Sequence, residues 1–278
     1  MKTLDKVMHL HLEEIALKLR RSLIKISADS KIPHLGSCLS CLEILVYLYW
    51  AEMKIDNCNP NDPNRDKFLL SKGHASPALI QILAFKEFFP VEKLEEFGED
   101  GSYFHEHPPR PGLIPGVEAA TGSLGHGMPM GIGMAISQRI LERIGRIYIL
   151  IGDGECNEGV IWESAMLAAS LKLGNVIIFI DFNKWQATGR SQEVMSLDPL
   201  ADKWSSFGWH VQEINGHDFV AIERALDEAK AEDERPSMII AHTIKGKGVS
   251  FMEDDNNWHY RTPNPQELAA ALSELEST

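Results

Sequence analysis

Two hydrophobic patterns alternate along this chain. KFLLS at 67–71, RIYILIG at 146–152, VIIFID at 176–181, WHVQEI at 209–214 and SMIIAHT at 237–243 are short runs rich in apolar residues, and they predict strands. The second and third are continuous enough to be buried on both faces. Apolar residues at steps of three and four predict helices instead, beginning with the stripe Leu4, Val7, Met8, Leu12, Ile15, Leu19, Leu23 and Ile26. Pro33 and Gly36 interrupt before a second apolar helix that runs to about Met53, which leaves His34 in a turn between two helices. Further helices are expected after Gly73 and His74, from Gly127, from Gly159 to Leu173, over PLADKWSSFG, over DFVAIERALDEAKAE and over the closing QELAAALSELE. The alternation predicts an α/β fold, a doubly wound, mostly parallel sheet with helices on both faces. Without an internal repeat or a clear linker, one domain over residues 1–278 is the simplest count.

Three stretches belong to neither pattern. IDNCNPNDPNRD at 55–66 is dense in Asn, Asp and Pro and reads as a surface loop. Residues 97–127 and 245–264 are long and glycine-containing; the first holds three histidines and the second holds His259. Loops of that length inside a compact domain are usually functional or disordered, and these read as site loops.

The stretch at 146–186 organises the rest. It reads as a strand ending in Gly152-Asp153-Gly154, a helix, and a second strand ending in Asp181 and Asn183. Parallel strands emerge on one edge of a sheet, so Asp153 and Asn183 can meet there despite their separation in sequence. A glycine-flanked acid beside a helix N-terminus, facing an amide oxygen, suits a hard divalent cation holding a diphosphate. A lone Gly-Asp-Gly would more often be a helix cap, and Asn183 alone a turn residue. The pair, at two neighbouring strand ends, favours the metal reading.

Composition narrows the partners. Twenty-seven Lys and Arg against forty Asp and Glu give a net charge of −13, which argues against nucleic acid or an anionic membrane as the main partner. A diphosphate would then rely on backbone N–H groups, a metal and histidines. The first twenty residues carry charge throughout and lack a signal-peptide core, and no run approaches a membrane span, so the cytoplasm is the expected address. Cys38, Cys41, Cys58 and Cys156 are too few and too scattered for a disulfide framework, and Cys38-x-x-Cys41 lies in what reads as a buried helix. No G-x-G-x-x-G follows a strand and no G-x-x-x-x-G-K-[ST] occurs, which disfavours nicotinamide, flavin and P-loop chemistry. His34, His74, His107, His126 and His259 all fall in turns or loops at element ends. Singly each is an ordinary polar residue. Five that could converge on one sheet edge fit a site that binds phosphate and hydroxyl groups and moves protons near neutral pH. Zinc is not supported, because no H-x-x-x-H or H-E-x-x-H pair occurs on a helix.

These motifs resemble the N-terminal, diphosphate-binding half of transketolase. Gly152-Asp153-Gly154 through Asn183 is similar to the thiamine diphosphate motif, and SKGH, IPGVEAATGSLGHG and the distal Trp258-His259 resemble transketolase signatures. The resemblance covers nearly the whole chain. It implies thiamine diphosphate and Mg²⁺ as cofactors, with Ca²⁺ or Mn²⁺ able to substitute, and Asp153, Asn183 and the Trp185 carbonyl as metal ligands. Gly154 and His74 would contact the diphosphate, joined by His259. Gly122 and Leu124 would lie against the aminopyrimidine and thiazolium, with Gly152, Ser123 and Glu155 completing the cofactor-binding set. The catalytic set would be His34, His107 and His259 along the substrate channel and Glu158 as an interfacial acid between paired active sites. Three positions depart from the family pattern: His126 where glutamine is common, and Glu106 and Tyr260 where glycine is usual.

In that family a two-carbon ketol unit passes from a ketose to an aldose, and the glutamate that activates the aminopyrimidine belongs to a pyrimidine-binding domain. The resemblance therefore implies a split transketolase, this chain being inactive until completed by a C-terminal subunit, in an α2β2 assembly. A split enzyme for a sulfonated or branched sugar and a deoxyxylulose-phosphate synthase are the enzymatic alternatives; a binding or regulatory homologue without cofactor is the non-enzymatic one. The helices from Gly127 and from Gly159 are candidate interface helices; the first is apolar almost all round and expected to be buried on several sides, which a core helix under the sheet would satisfy equally.

Overall fold

A computed structural model of the protein describes residues 6–276. Five strands, β1 (Lys67–Leu70), β2 (Ile147–Gly152), β3 (Val176–Phe182), β4 (His210–Asn215) and β5 (Ser237–His242), form a sheet in the order β1-β2-β3-β5-β4. Every pairing is parallel. The helices are α1 (Lys6–Asp29), α2 (Leu35–Ser40), α3 (Leu42–Tyr47), α4 (Ser76–Phe85), α5 (Gly127–Ile140), α6 (Gly159–Ser170), α7 (Ser191–Val194), α8 (Leu200–Ser206), α9 (Phe219–Ala231) and α10 (Pro265–Glu276).

The period of two along each strand explains why both faces are covered. Phe68, Tyr148, Leu150, Ile177 and Phe179 point into one apolar layer with Leu12 and Leu19 of α1, Ile44 of α3, Leu79 of α4 and Leu226 of α9. Leu69, Ile149, Ile151, Ile178 and Ile180 point into the other, with Ile132 of α5, Ile161 of α6 and Trp204 of α8. Fully burying one such side chain contributes about 1.5–3 kcal/mol, so the central strands form a rigid platform. The polar groups of the chain are left to gather at its edges.

Three expectations about the helices are corrected. The expected second helix to Met53 is broken at Cys41 and ends in a wide turn over Leu48–Glu52. The break adjoins Ser40, whose hydroxyl donates to Asp181 at 2.6 Å, a contact across 141 positions that no local pattern encodes. In the α1 stripe Val7 is exposed while Leu12, Ile15, Leu19 and Leu23 are buried, and Leu4 lies outside the described residues. α5 is buried on its sheet side only: Gly131 lets it close onto Ile149, whereas Met130 and Ile140 face outward. No helix among the described residues is long and apolar enough to cross a membrane.

Candidate active site

Parallel pairing brings the C-terminal ends of all five strands to one edge. The register sets Gly152 beside Asp181 and Phe182 beside His242, so Asp153 and Asn183 leave the sheet next to one another. They line a cavity of about 450 Å³ together with His34, His74, Gly122, Leu124, Gly152, Gly154, Glu155, Glu158, Trp185 and His259.

Asp153 accepts hydrogen bonds from the Gly154 N–H at 2.9 Å, the Lys184 N–H at 3.0 Å and the Ser191 hydroxyl at 2.7 Å. Burial nevertheless pushes its carboxyl up to about 6, so a cation at this acid would meet an incompletely compensated charge. The Asn183 amide is oriented from both ends. Its NH₂ donates to Asp181 at 3.1 Å and its oxygen accepts from the Trp185 N–H at 3.1 Å. The donor set is therefore a carboxylate, an amide oxygen and the carbonyls of a tight turn, oxygen ligands of the kind Mg²⁺ accepts. Among the described residues no three His, Cys, Asp or Glu side chains are grouped to hold a metal by themselves. A cation here would complete its shell from phosphate, carbonyl and water.

Four of the five histidines converge. The His34 ring lies 5.4 Å from that of His74, 5.0 Å from His259 and 6.3 Å from His107. His34 reaches this position with a left-handed backbone, φ 66°, an uncommon conformation held by its N–H donating to the His259 carbonyl at 2.7 Å. Burial, reinforced by neighbouring imidazoles and lysines, lowers His34 to about 4 and His259 to about 3, and lowers His74 well below its usual value. All three are neutral at pH 7. Lys245 Nζ lies 2.8 Å from His259 Nδ1; in its ammonium form it donates to that nitrogen, which leaves the ring proton on Nε2.

His107 is not among the residues lining the cavity of Asp153 and Asn183; it lines a second one of about 390 Å³, and its ring packs over Gly122. His126 does not join the cluster. It is exposed at the start of α5, and its Nδ1 is engaged locally by the Leu124 carbonyl at 3.1 Å and Ser123 at 3.3 Å. Ser123 is likewise exposed and outside the cavity lining. Glu155 lines the cavity, but its carboxylate accepts from Ser71 Oγ at 2.6 Å, the Gly125 N–H at 2.7 Å and the Gly152 N–H at 2.8 Å, which ties the ends of β1 and β2 to the 122–126 loop. Glu158 is exposed at the N-terminal side of α6. Gly73 is required by packing: a Cβ there would meet the Thr121 carbonyl carbon at 2.7 Å.

The family model described as transketolase, thiamine diphosphate binding domain, matches residues 14–275. The chain belongs to that family. It is 44% identical over 245 residues to the 6-deoxy-6-sulfo-D-fructose transketolase subunit SqwG of Clostridium sp. (strain MSTE9), covering 88% of this chain and 89% of that protein. It is 39% identical to an apulose-4-phosphate transketolase subunit of Phocaeicola vulgatus, covering 93% and 91%. The solved transketolase from Leishmania mexicana superposes with a TM-score of 0.90 at 28% identity, over 95% of this chain. The chain spans 41% of that longer transketolase.

Within this transketolase fold, sequence reasoning missed the lysines. Lys72 is buried in an ion pair with Asp181 and donates to the Ser37 carbonyl at 2.9 Å, while Ser40 and Thr243 also donate to Asp181. Burial alone would lower Lys72 and raise Asp181; their mutual attraction reverses both, leaving Lys72 above and Asp181 below its usual range. Lys245 has no such carboxylate at its ammonium and is lowered to about 7, by burial first and Lys72 second. The only local signal was a lysine in a run that the strand pattern makes buried, as in SKGH.

Proposed function

We propose that this chain is the diphosphate-binding subunit of a split transketolase, one domain over residues 1–278, which moves a two-carbon ketol unit from a ketose to an aldose once joined by a partner carrying the pyrimidine-binding domain. The observation that carries this reading is the meeting of Gly152-Asp153-Gly154 and Asn183 with three neutral imidazoles, those of His34, His74 and His259, in one cavity at the C-terminal edge of a parallel sheet. Two relatives named as transketolase subunits match over about nine-tenths of both chains, which supports the split.

Asp153, Asn183 and the Trp185 carbonyl would hold Mg²⁺, with Ca²⁺ or Mn²⁺ as substitutes, and Gly154 and His74 would receive the diphosphate. Thiamine diphosphate, when bound, supplies the electron sink for breaking the ketose C2–C3 bond. The chain's own part is binding, orientation and proton placement. His259 lines the cavity with Lys245 at its Nδ1, so when that lysine is charged the ring offers an Nε2–H donor. His34, His74 and His107, each with one donor and one acceptor nitrogen when neutral, suit sugar hydroxyls and short proton relays. Met130, Ile140, Met166 and Leu167 expose an apolar surface on α5 and α6, and Glu158 lies at the N-terminal side of α6, which supports docking of further subunits; an α2β2 assembly in the cytoplasm is the form proposed.

The relatives' names favour a second reading of the substrate. Identity is 44% and 39% to subunits named for a sulfonated and a branched sugar, against 33% to the human transketolase. A ketose of that kind is the narrower proposal. Ketol transfer from a panel of phosphorylated, sulfonated and branched ketoses, assayed with and without the partner chain, tests both. Transfer only with the partner, fastest from a sulfonated or branched donor, is expected; robust transfer by the chain alone would sink the split.

A further inference from the structure

Two loops meet over the cavity. The 183–191 hairpin, after β3, carries Asn183 and Trp185; it doubles back through a bridge between Trp185 and Arg190, with the Gln186 N–H donating to the Gly189 carbonyl at 2.8 Å. The 245–260 loop, after β5, carries Lys245 and His259. Asp254 of the second loop accepts from Trp185 Nε1 at 2.8 Å and from both terminal nitrogens of Arg190 at 2.6 Å. The Arg190 guanidinium lies 3.8 Å from the centre of the Trp185 ring.

A second strand of contacts runs beside the first. Asn256 donates to the Ala187 carbonyl at 3.1 Å and accepts from Lys245 at 2.7 Å, and Lys245 contacts His259. On the far side Ser191, next to Arg190, donates to Asp153. Polar contacts therefore run without a gap from Asp153 through the hairpin to His259. Lys184 and Asp254 both hold left-handed backbones, φ 70° and 59°, a conformation that persists in such residues where surrounding contacts enforce it.

We propose that Trp185, Arg190 and Asp254 form a latch that positions the diphosphate-side hairpin and the His259 loop as one unit, so that filling the metal and diphosphate site and setting His259 in the sugar channel are coupled. This rests on the cofactor reading above. An exposed ion pair alone would be worth little. Here the pair is bidentate, shares its acceptor with an indole N–H and stacks on that indole, three restraints on the same two loops. The guanidinium fork matters more than its charge.

The full-length chain tests the latch in two independent arms. Asp254→Asn keeps the size and the tolerance of a left-handed backbone while removing the charge. In the cofactor-free chain, trypsin cleavage after Lys184 should be about ten-fold faster in D254N than in wild type, because cleavage follows the opened population. With the partner subunit, Mg²⁺ and thiamine diphosphate present, D254N, R190Q and R190K should each weaken calorimetric binding about five- to ten-fold, and R190Q/D254N little further, as residues acting together are non-additive. The His259 ring nitrogen signals should shift in D254N although the substitution is not at that ring. Equal cleavage rates, additive losses, full function in R190K or an unmoved His259 signal would each overturn the latch. Failure of wild type to bind the cofactor with the partner subunit present would instead overturn the cofactor reading, and the cleavage arm would still decide the latch.

Discussion

Lys72 and Lys245 are both buried at the same sheet edge, yet they are held in opposite electrostatic states. Lys72 faces the Asp181 carboxylate and keeps its proton beyond the usual range; Lys245 faces an amide oxygen and an imidazole and loses its proton near pH 7. The difference separates scaffold from site. A compensated buried pair fixes β1 against β3 and α2, and so holds the turn that carries Asn183. An uncompensated lysine leaves positive charge available beside a cavity proposed to take an anion.

The sharpest way to break the contrast is to unpair the first lysine. Lys72→Met alone leaves Asp181 buried without its cation and should cost about 3–5 kcal/mol, measured by urea unfolding, whereas Lys72→Met with Asp181→Leu should recover most of it. Equal losses in single and double variants would mean that the pair is not the support described. Next in size, Asp153→Ala should remove metal-dependent thiamine diphosphate binding while cooperative urea unfolding survives, since it deletes a ligand rather than core volume. Chelation of the metal by EDTA should reproduce the loss of binding in wild type.

The smaller effects lie in pH. His34 at about 4 and His259 at about 3 are below their usual 6.5, and Lys245 at about 7 is below 10.5, so for each the unfolded chain binds more protons. Stability should rise with pH, from about 3 to 6.5 through the histidines and from about 7 to 10.5 through Lys245. Lys72 has the opposite sign: its contribution is complete below 10.5 and lost only above it. Lys245→Met should flatten the rise above pH 7, read from urea midpoints at pH 7, 8.5 and 10; an unchanged slope would assign that limb to other groups. A bound diphosphate would draw Lys245 back toward its charged form, so cofactor binding at pH 7.5 should take up a fraction of one proton, visible as a dependence of calorimetric heat on buffer ionisation.

The part of this edge that was legible in sequence is the β2–α6–β3 unit. Its apolar runs, its Gly-Asp-Gly ending and its Asn183 are all local, so strand direction alone brought Asp153 and Asn183 together. The sheet order was not legible, because only packing places β5 between β3 and β4. Nor were the lysine partners: Lys72 meets Asp181 across 109 positions. His126 shows the limit from the other side. Its setting in a glycine-rich loop matched that of the other four histidines, but the ring turns to the Leu124 carbonyl. Position near an element end indicates which histidines can reach an edge; side-chain hydrogen bonds decide which do.

The central claim is a metal-dependent diphosphate site built from two strand ends. Calorimetric titration of thiamine diphosphate into the full chain with its partner tests it most directly, with Mg²⁺ or EDTA present, in wild type and Asn183→Ala. Saturable binding that requires the metal and disappears in N183A is the predicted result. Binding of equal strength with EDTA, or undiminished in N183A, would contradict it.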